Sequence, residues 1–445
     1  MGFTGQIKDK LIQQIMERRL RKVEHDAEGY ADQSSARLAT EKTFKAQEKF
    51  TRFDQHPGYQ QLRIINDGAV MMGVPNPFFR VQDGVSCAVS SINGKECINF
   101  AGYNYLSLSG HLEVTESAKM AIDRYGTSVS ASRLVSGEKQ IHRELERALA
   151  DVYGVDDAVV FVSGHATNVS TIGYLFGPKD LILHDELIHN SILQGAQLSG
   201  AKRLSFPHND WKALDRILVG HRNQFERVLI ALEGIYSMDG DYPDLPRFVE
   251  IKNRHGAFLM VDEAHSFGVM GKTGLGIREH FGIDGSDVDI WMGTLSKTLA
   301  GCGGFIAGET ALVEHLKFMT PGFLYSVGMS PPLAAASLKA MQIMQREPDR
   351  VAALQKNGRL FLKSAIHAGI DTGTSSGLAI IPAIIGSSIK AARLSDALFQ
   401  RGINVQPILY PAVPEKSARL RFFISCMHTE EQIETSVRAL ADELK

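Results

Sequence analysis

Lys297 is the only charged residue in the stretch from Trp291 to Gly308. A lysine is seldom buried without a partner or a purpose. Desolvation lowers its pKa, and a neutral amine can form a Schiff base with an aldehyde. Thr294 and Ser296 precede it, and Gly301, Gly303 and Gly304 follow. Hydroxyls beside backbone that admits close approach suit an anion. Four apolar runs upstream also end in reactive residues. Residues 158–162 lead into Ser163, Gly164, His165 and Asn168, and 181–183 into His184, Asp185 and His189. Residues 228–232 lead into Glu233, Ser237 and Asp241, and 258–261 into Asp262, Glu263 and His265. In an open α/β sheet, ligands lie beyond the carboxyl ends of the strands, so such residues meet at one place. A pyridine ring is an electron sink only while its nitrogen stays protonated, and a carboxylate such as Asp262 can hold that proton on. The plain structural alternatives are a lysine snorkelling from a loop and an aspartate capping a helix. The pairing of Asp262 with Lys297 one strand later favours the cofactor.

Something must position these groups. Over residues 111–330, short apolar runs alternate with amphipathic stretches, predicting an α/β domain with a mostly parallel sheet covered on both faces. Strand-like runs at 378–381 and 420–424, mixed with helices, predict a smaller α+β domain over 331–445. Residues 56–110 open with turns, and Asn93-Gly94 between alternating runs at 85–92 and 97–100 predicts a hairpin. In residues 1–55, Phe3, Ile7, Leu11, Ile15, Leu20 and Val23 recur at helical spacing. That stripe predicts a helical arm covered by the protein's own body or a dimer mate. The basic cluster Arg18, Arg19, Arg21 and Lys22 leaves a carrier protein or membrane surface as the alternative.

The bulk composition narrows the classes. With 48 Lys plus Arg against 50 Asp plus Glu in 445 residues, charge gives no support for nucleic-acid binding. No apolar run reaches the ~20 residues of a membrane span, and the polar start is no secretory signal. Cys87, Cys97, Cys302 and Cys426 fit neither a zinc site nor a redox pair, which points to reduced thiols in the cytoplasm. No metal site is expected.

The motifs Asp262–265, Gly293-Thr294 with Lys297, and Gly303-Gly304 resemble those of fold-type-I pyridoxal-phosphate (PLP) enzymes. Within them the chain is similar to the α-oxoamine synthases, especially serine palmitoyltransferases and their polyketide-associated relatives. Ser132-Arg133 through Gly137, His142, Glu146, Ser163-Gly164 with Asn168, Asp185 with His189, Glu233 with Ser237 to Asp241, and Arg421 with His428 carry the likeness. The resemblance implies a decarboxylative condensation of a small amino acid with an acyl thioester. Lys297 would be the Schiff-base lysine and move the Cα proton. Asp262 would hold the ring nitrogen, His189 would stack on the ring, and His265 with Ser237 would bond its hydroxyl. Ser163, Gly164, His165 and Thr294 would cradle the phosphate, with Glu233 beside the ring. Arg421 would grip the amino-acid carboxylate, and Tyr103, Asn104 and Ser132 would line the substrate side. Family members are dimers with interface sites, so Ser326 would reach the partner's phosphate.

Tyr103-Asn104-Tyr105 and Ser132 with Leu134 resemble members using serine or alanine, ahead of glycine, and disfavour a succinyl substrate. Ser107 stands where the family usually has glycine. The thioester is expected to be medium or long, on coenzyme A or an acyl carrier protein. An aminotransferase and a non-catalytic subunit are the rival readings; the latter would be expected to lack the lysine. There is no G-x-G-x-x-G after the first strand and no P-loop to support a nucleotide-binding protein.

Overall fold

The computed structural model describes residues 47–445. Most of the expected arm over residues 1–55, with its apolar stripe, lies outside the described residues. The described part of it forms two short 3-10 turns, Glu48–Phe50 and Phe53–Gln55. The chain divides into one unit up to Met72 and another from Gly73 to Lys445. In the first, a helix spans Pro57–Met71, with proline in its first turn and His56 accepting from the Gly58 amide.

The second unit opens with strands β1 (Gln82–Asp83), β2 (Val89–Ile92) and β3 (Lys95–Asn99). The Asn93-Gly94 turn between β2 and β3 forms as predicted, with φ of 50° and 75°. Two positive φ values make the turn whose twist matches a hairpin.

Seven strands follow: β4 (Asp157–Phe161), β5 (Leu181–Asp185), β6 (Lys202–Phe206), β7 (Val228–Glu233), β8 (Phe258–Asp262), β9 (Ile290–Thr294) and β10 (Gly304–Gly308). They form one sheet in the order β4-β10-β9-β8-β7-β5-β6. All pairings are parallel except those of β10, which runs antiparallel to β4 and β9. Burial on both faces explains the unbroken apolar runs. Leu181, Leu183, Ile230, Leu232, Leu259, Val261 and Trp291 join one core, while Ile182, Leu229, Ala231, Met260 and Met292 join a second. This alternation puts one core on each side of the sheet. Each fully buried Leu, Ile or Val contributes about 1.5–3 kcal/mol.

Two sheet strands escape a search for apolar runs. β6 is an edge strand of Lys, Arg, Leu, Ser and Phe with mostly exposed positions. β9 contains Gly293, where a Cβ would strike the Phe305 ring.

The C-terminal part adds β11 (Ile380–Ile384), β12 (Ile403–Asn404), β13 (Gln406–Ile408) and β14 (Arg419–Phe423). β11, β14 and β13 form an antiparallel sheet with β14 in the middle, so Arg421 faces Pro382 and Gln406 across it. β12 instead pairs in parallel with β3, tying the early hairpin to the C-terminal part. Among the described residues, no helix is long and apolar enough to cross a membrane.

Candidate active site

The site is assembled where β4, β7, β8 and β9 end. At the end of β8, one Asp262 oxygen accepts from the Ala264 amide at 2.9 Å. Its other oxygen accepts from Asn168 Nδ2 at 2.8 Å. Asn168 lies in the helix Gly164–Leu175, and its Nδ2 also donates to Ser191 Oγ at 2.9 Å. With that oxygen accepting, the Ser191 hydroxyl is free to donate to His189 Nδ1, 2.7 Å away. The Ser191 amide donates to the same nitrogen at 3.2 Å. Two donors on Nδ1 put the His189 proton on Nε2. A relay thus runs from Asp262 through Asn168 and Ser191 to the ring of His189. Burial lowers the His189 pKa, while Asp262 pulls it up.

Lys297 lies in the loop between β9 and β10. That loop is pinned by Gly301 N donating to Leu295 O at 2.8 Å and by Leu295 N donating to Gly303 O at 2.9 Å. Thr298 Oγ1 donates to Phe267 O at 2.9 Å. The Lys297 ammonium lies 5.6 Å from the centre of the Tyr103 ring. Burial lowers its pKa from 10.5 to about 8; Asp262 and Glu233 oppose the shift and Arg421 adds to it. The neighbouring His265 is pushed well below its ordinary value by burial, then by Lys297 and Arg421, so its ring is neutral. Its Nδ1 lies 2.8 Å from the hydroxyl of the buried Tyr105. Glu233 is held well above the carboxylate range by burial and by Asp262 beside it. One Glu233 oxygen accepts from the Ser237 amide at 3.3 Å.

Arg421 arrives from β14. It stacks on Phe423, with its guanidinium carbon 4.6 Å from the ring centre. Nη1 donates to Ser237 O at 2.9 Å and to Met238 Sδ at 3.3 Å, while the buried Nε has no partner among the described residues. Among the described residues no carboxylate lies within ion-pair reach of Arg421, and burial lowers its pKa. The other arginines nearby are compensated. Arg419 pairs with Asp239 at 2.6 Å, and Arg133 with Glu138 and Glu146, each at 2.6 Å. A buried, unpaired guanidinium is costly and is built to receive an anion.

A second anion cradle lies at the start of the helix Gly164–Leu175. The Ser163 hydroxyl caps it, accepting from Ala166 N at 3.4 Å, and the His165 side chain is exposed. Gly164 and Gly304 meet at such close range that a Cβ on Gly304 would lie 2.7 Å from the Gly164 Cα and 2.5 Å from Thr167 Oγ1. A Cβ on Gly164 would lie 3.0 Å from Thr294 Oγ1. The helix amino end therefore abuts the Thr294 hydroxyl at the end of β9, as a phosphate site requires.

The remaining candidates lie farther out. Asn104 spends its amide on Ser86 O at 2.9 Å and on the Leu108 and Ser109 amides, shaping the turn that holds Tyr103 and Tyr105. The Ser132 hydroxyl is buried without a partner, and its carbonyl accepts from three amides of the following π turn. Ser326 is half-buried beside the exposed Tyr325 and Val327 and donates to Val327 O. Sequence reasoning quoted Ser191 in a motif with Asp185 and His189 but gave it no role, and it did not place Tyr105 or Phe423 in the site. Tyr105 stood in a quoted motif, yet nothing in its type foretold a bond to His265.

PLP fits these residues. It would bring an anion to the helix end, an aldehyde to Lys297, a ring nitrogen to Asp262 and a flat face to His189.

The family described as aminotransferase class I and II matches residues 95–440. An 8-amino-7-oxononanoate synthase of Symbiobacterium thermophilum is 41% identical over 352 residues, covering 79% of this chain and 89% of that one. The same enzyme of Fervidobacterium nodosum is 40% identical over 77% of this chain and 87% of its own. Among solved structures, the serine palmitoyltransferase of Sphingomonas wittichii superposes with a TM-score of 0.82 at 30% identity, covering 87% of this chain and 97% of that chain.

Proposed function

This chain belongs to the aminotransferase class I and II family and, within it, to the PLP-dependent α-oxoamine synthases; on that premise we propose that it joins L-serine or L-alanine to a medium or long acyl thioester. The products are an α-amino ketone, CO2 and the free thiol. The name 8-amino-7-oxononanoate describes a methyl carbon and an amine-bearing carbon, as alanine would supply, next to a ketone, as the thioester carbonyl would supply. The solved neighbour from Sphingomonas wittichii is a serine enzyme by name. Both support a small amino acid, and the carrier of the acyl group is coenzyme A or an acyl carrier protein.

When bound, the cofactor supplies an aldehyde and an electron sink. Arg421 binds the amino-acid carboxylate in two parallel hydrogen bonds and so orients the Cα–H bond. Lys297, neutral for part of the time near pH 8, takes and returns the Cα proton. Asp262, braced by Asn168 and Ala264, keeps the ring nitrogen protonated. His189 covers the ring face, and His265 with Ser237 serves the ring hydroxyl. Ser163, Gly164, His165 and Thr294 hold the phosphate, and Glu233 stands beside Asp262, its pKa raised by burial and by that neighbour's charge. Tyr103, Asn104 and Ser132 bound the substrate side. The exposed Leu134, Val135, Tyr325 and Val327 lie on two adjoining segments and support a homodimer face, where Ser326 would meet the partner's phosphate. Cytoplasmic placement goes with this assignment.

The observation that carries the reading is a largely desolvated Arg421 with no acid in ion-pair reach among the described residues, beside a lysine whose charge burial has weakened. The test is visible absorbance of the protein purified with PLP, titrated with serine, alanine and glycine. A cofactor band that shifts with serine or alanine, and is absent in Lys297→Ala, is expected. A protein that takes up no PLP would sink the proposal.

A further inference from the structure

We propose that His208 is a positioning residue for amino-acid binding: it bolts the loop 233–241, against which Arg421 is braced, onto the neighbouring strands. The inference rests on the α-oxoamine reading of the site and extends it to a residue outside the cofactor shell.

His208 follows the edge strand β6. Its Nδ1 meets Asp185, at the end of β5, at 2.9 Å, and its Nε2 meets Asp241, beyond β7, at 2.9 Å. One side chain thus links the ends of three adjacent strands. Asp185 is fully buried and also accepts from the amides of Leu187 and Asn209 at 2.9 and 2.8 Å. Asp241 is nearly as buried. Two such carboxylates need a cation between them. The imidazole holds its charge, its pKa raised to about 10 by the hydrogen bonds and charges of the two acids, which outweigh burial.

Asp241 closes the loop it ends. Tyr236 N donates to Asp241 O at 2.9 Å, and Gly240 N donates to Tyr236 O at 2.9 Å. From the other side, Thr374 Oγ1 donates to Asp241 at 2.6 Å, Ser376 Oγ donates to Gly240 O at 2.6 Å and Arg419 pairs with Asp239. The same loop supplies Ser237 O, the one backbone acceptor of Arg421 among the described residues, at 2.9 Å. The position of the guanidinium is therefore set through the loop by His208. A misplacement of about 1 Å can cost up to a hundredfold at a positioned group.

The test compares wild-type holoenzyme with His208→Asn and Thr374→Val in spectral titrations. The probes are the amino acid that shifts the wild-type band and the matching amine without a carboxylate, ethanolamine for serine or ethylamine for alanine. Roughly tenfold weaker amino-acid binding is expected in His208→Asn and a smaller loss in Thr374→Val, with amine binding and the thioester KM unchanged. In an Arg421→Met background, His208→Asn is expected to have no further effect. Equal weakening of both probes, or none, would overturn the proposal, because a merely structural role cannot tell a carboxylate from its absence. If His208→Asn does not fold, Thr374→Val decides: unchanged affinity overturns the proposal. A wild-type protein that binds PLP but answers to no amino acid overturns the α-oxoamine reading itself.

Discussion

Arg419 and Arg421 stand two residues apart on β14, both buried or nearly so, and the structure predicts opposite outcomes for their removal. Arg419→Met leaves Asp239, with a side chain 15% exposed, without its 2.6 Å partner. Breaking a buried pair costs about 3–5 kcal/mol, so this variant should unfold at clearly lower denaturant concentration. Arg421→Met removes a desolvated charge that has no ion-pair partner among the described residues and keeps the apolar contact with Phe423. Its loss is a bond to Ser237 O, worth about 1 kcal/mol, and a weaker one to Met238 Sδ, against the relief of an uncompensated charge. The cofactor-free protein should therefore be as stable as wild type or more so. Function should move the other way. A charge-assisted hydrogen bond to a carboxylate contributes about 1.5–3 kcal/mol, so amino-acid binding should weaken at least 10- to 150-fold. Ethanolamine or ethylamine, which lack the carboxylate, should bind as before. Denaturation of both variants and spectral titration of Arg421→Met provide the assay. A large destabilisation of Arg421→Met, or equal loss of the carboxylate-free amine, would refute the reasoning.

Other outcomes follow from the same geometry. Lys297 is predicted to react with PLP in the cofactor-free protein at a rate that rises through pH ~8, where the amine becomes neutral. About a tenth of it is neutral at pH 7, against roughly 0.03% for an ordinary lysine; an inflection near 10.5 would show that the burial effect is wrong. Because folding lowers this pKa, the charged form is disfavoured in the fold. The lysine's contribution to stability should rise between pH 8 and 10.5, and a pH series of denaturant midpoints, with Lys297→Met as control, measures it. Asn168→Leu cuts the link between Asp262 and Ser191, and PLP affinity should fall about tenfold by equilibrium dialysis. Gly304→Ala places a methyl 2.5 Å from Thr167 Oγ1, so a destabilisation of about 1–3 kcal/mol together with weaker phosphate retention is expected.

The parts of this architecture that burial dictates were legible in the sequence. β5, β7 and β8 are sandwiched between two cores, so their apolar runs were unbroken and the polar residues after them marked the strand ends. Lys297 and Asp262 were legible because a charge bordering buried strands demands a reason. β6 was not, because an edge strand exposes alternate residues, and β9 was not, because packing of Phe305 requires glycine there. The antiparallel direction of β10 is a matter of connection, which local composition does not encode. Asn104 shows a different limit. Its residue type suits substrate binding, while in the fold its oxygen holds the local turn and its NH2 reaches Ser86 O, 18 positions earlier. The hydrogen bond of Tyr105 to His265 spans 160 positions and could not be read from either neighbourhood.

The central claim is that this protein condenses an amino acid with an acyl thioester and releases the carboxylate as CO2. The direct measurement incubates the PLP-loaded protein with carboxyl-labelled serine or alanine and a medium- or long-chain acyl-coenzyme A, then counts CO2 and free thiol together. Equal release of both, dependent on both substrates and abolished in Lys297→Ala, is the predicted result. Transfer of the amino group to a keto acid, with no thiol and no CO2 released, would contradict it.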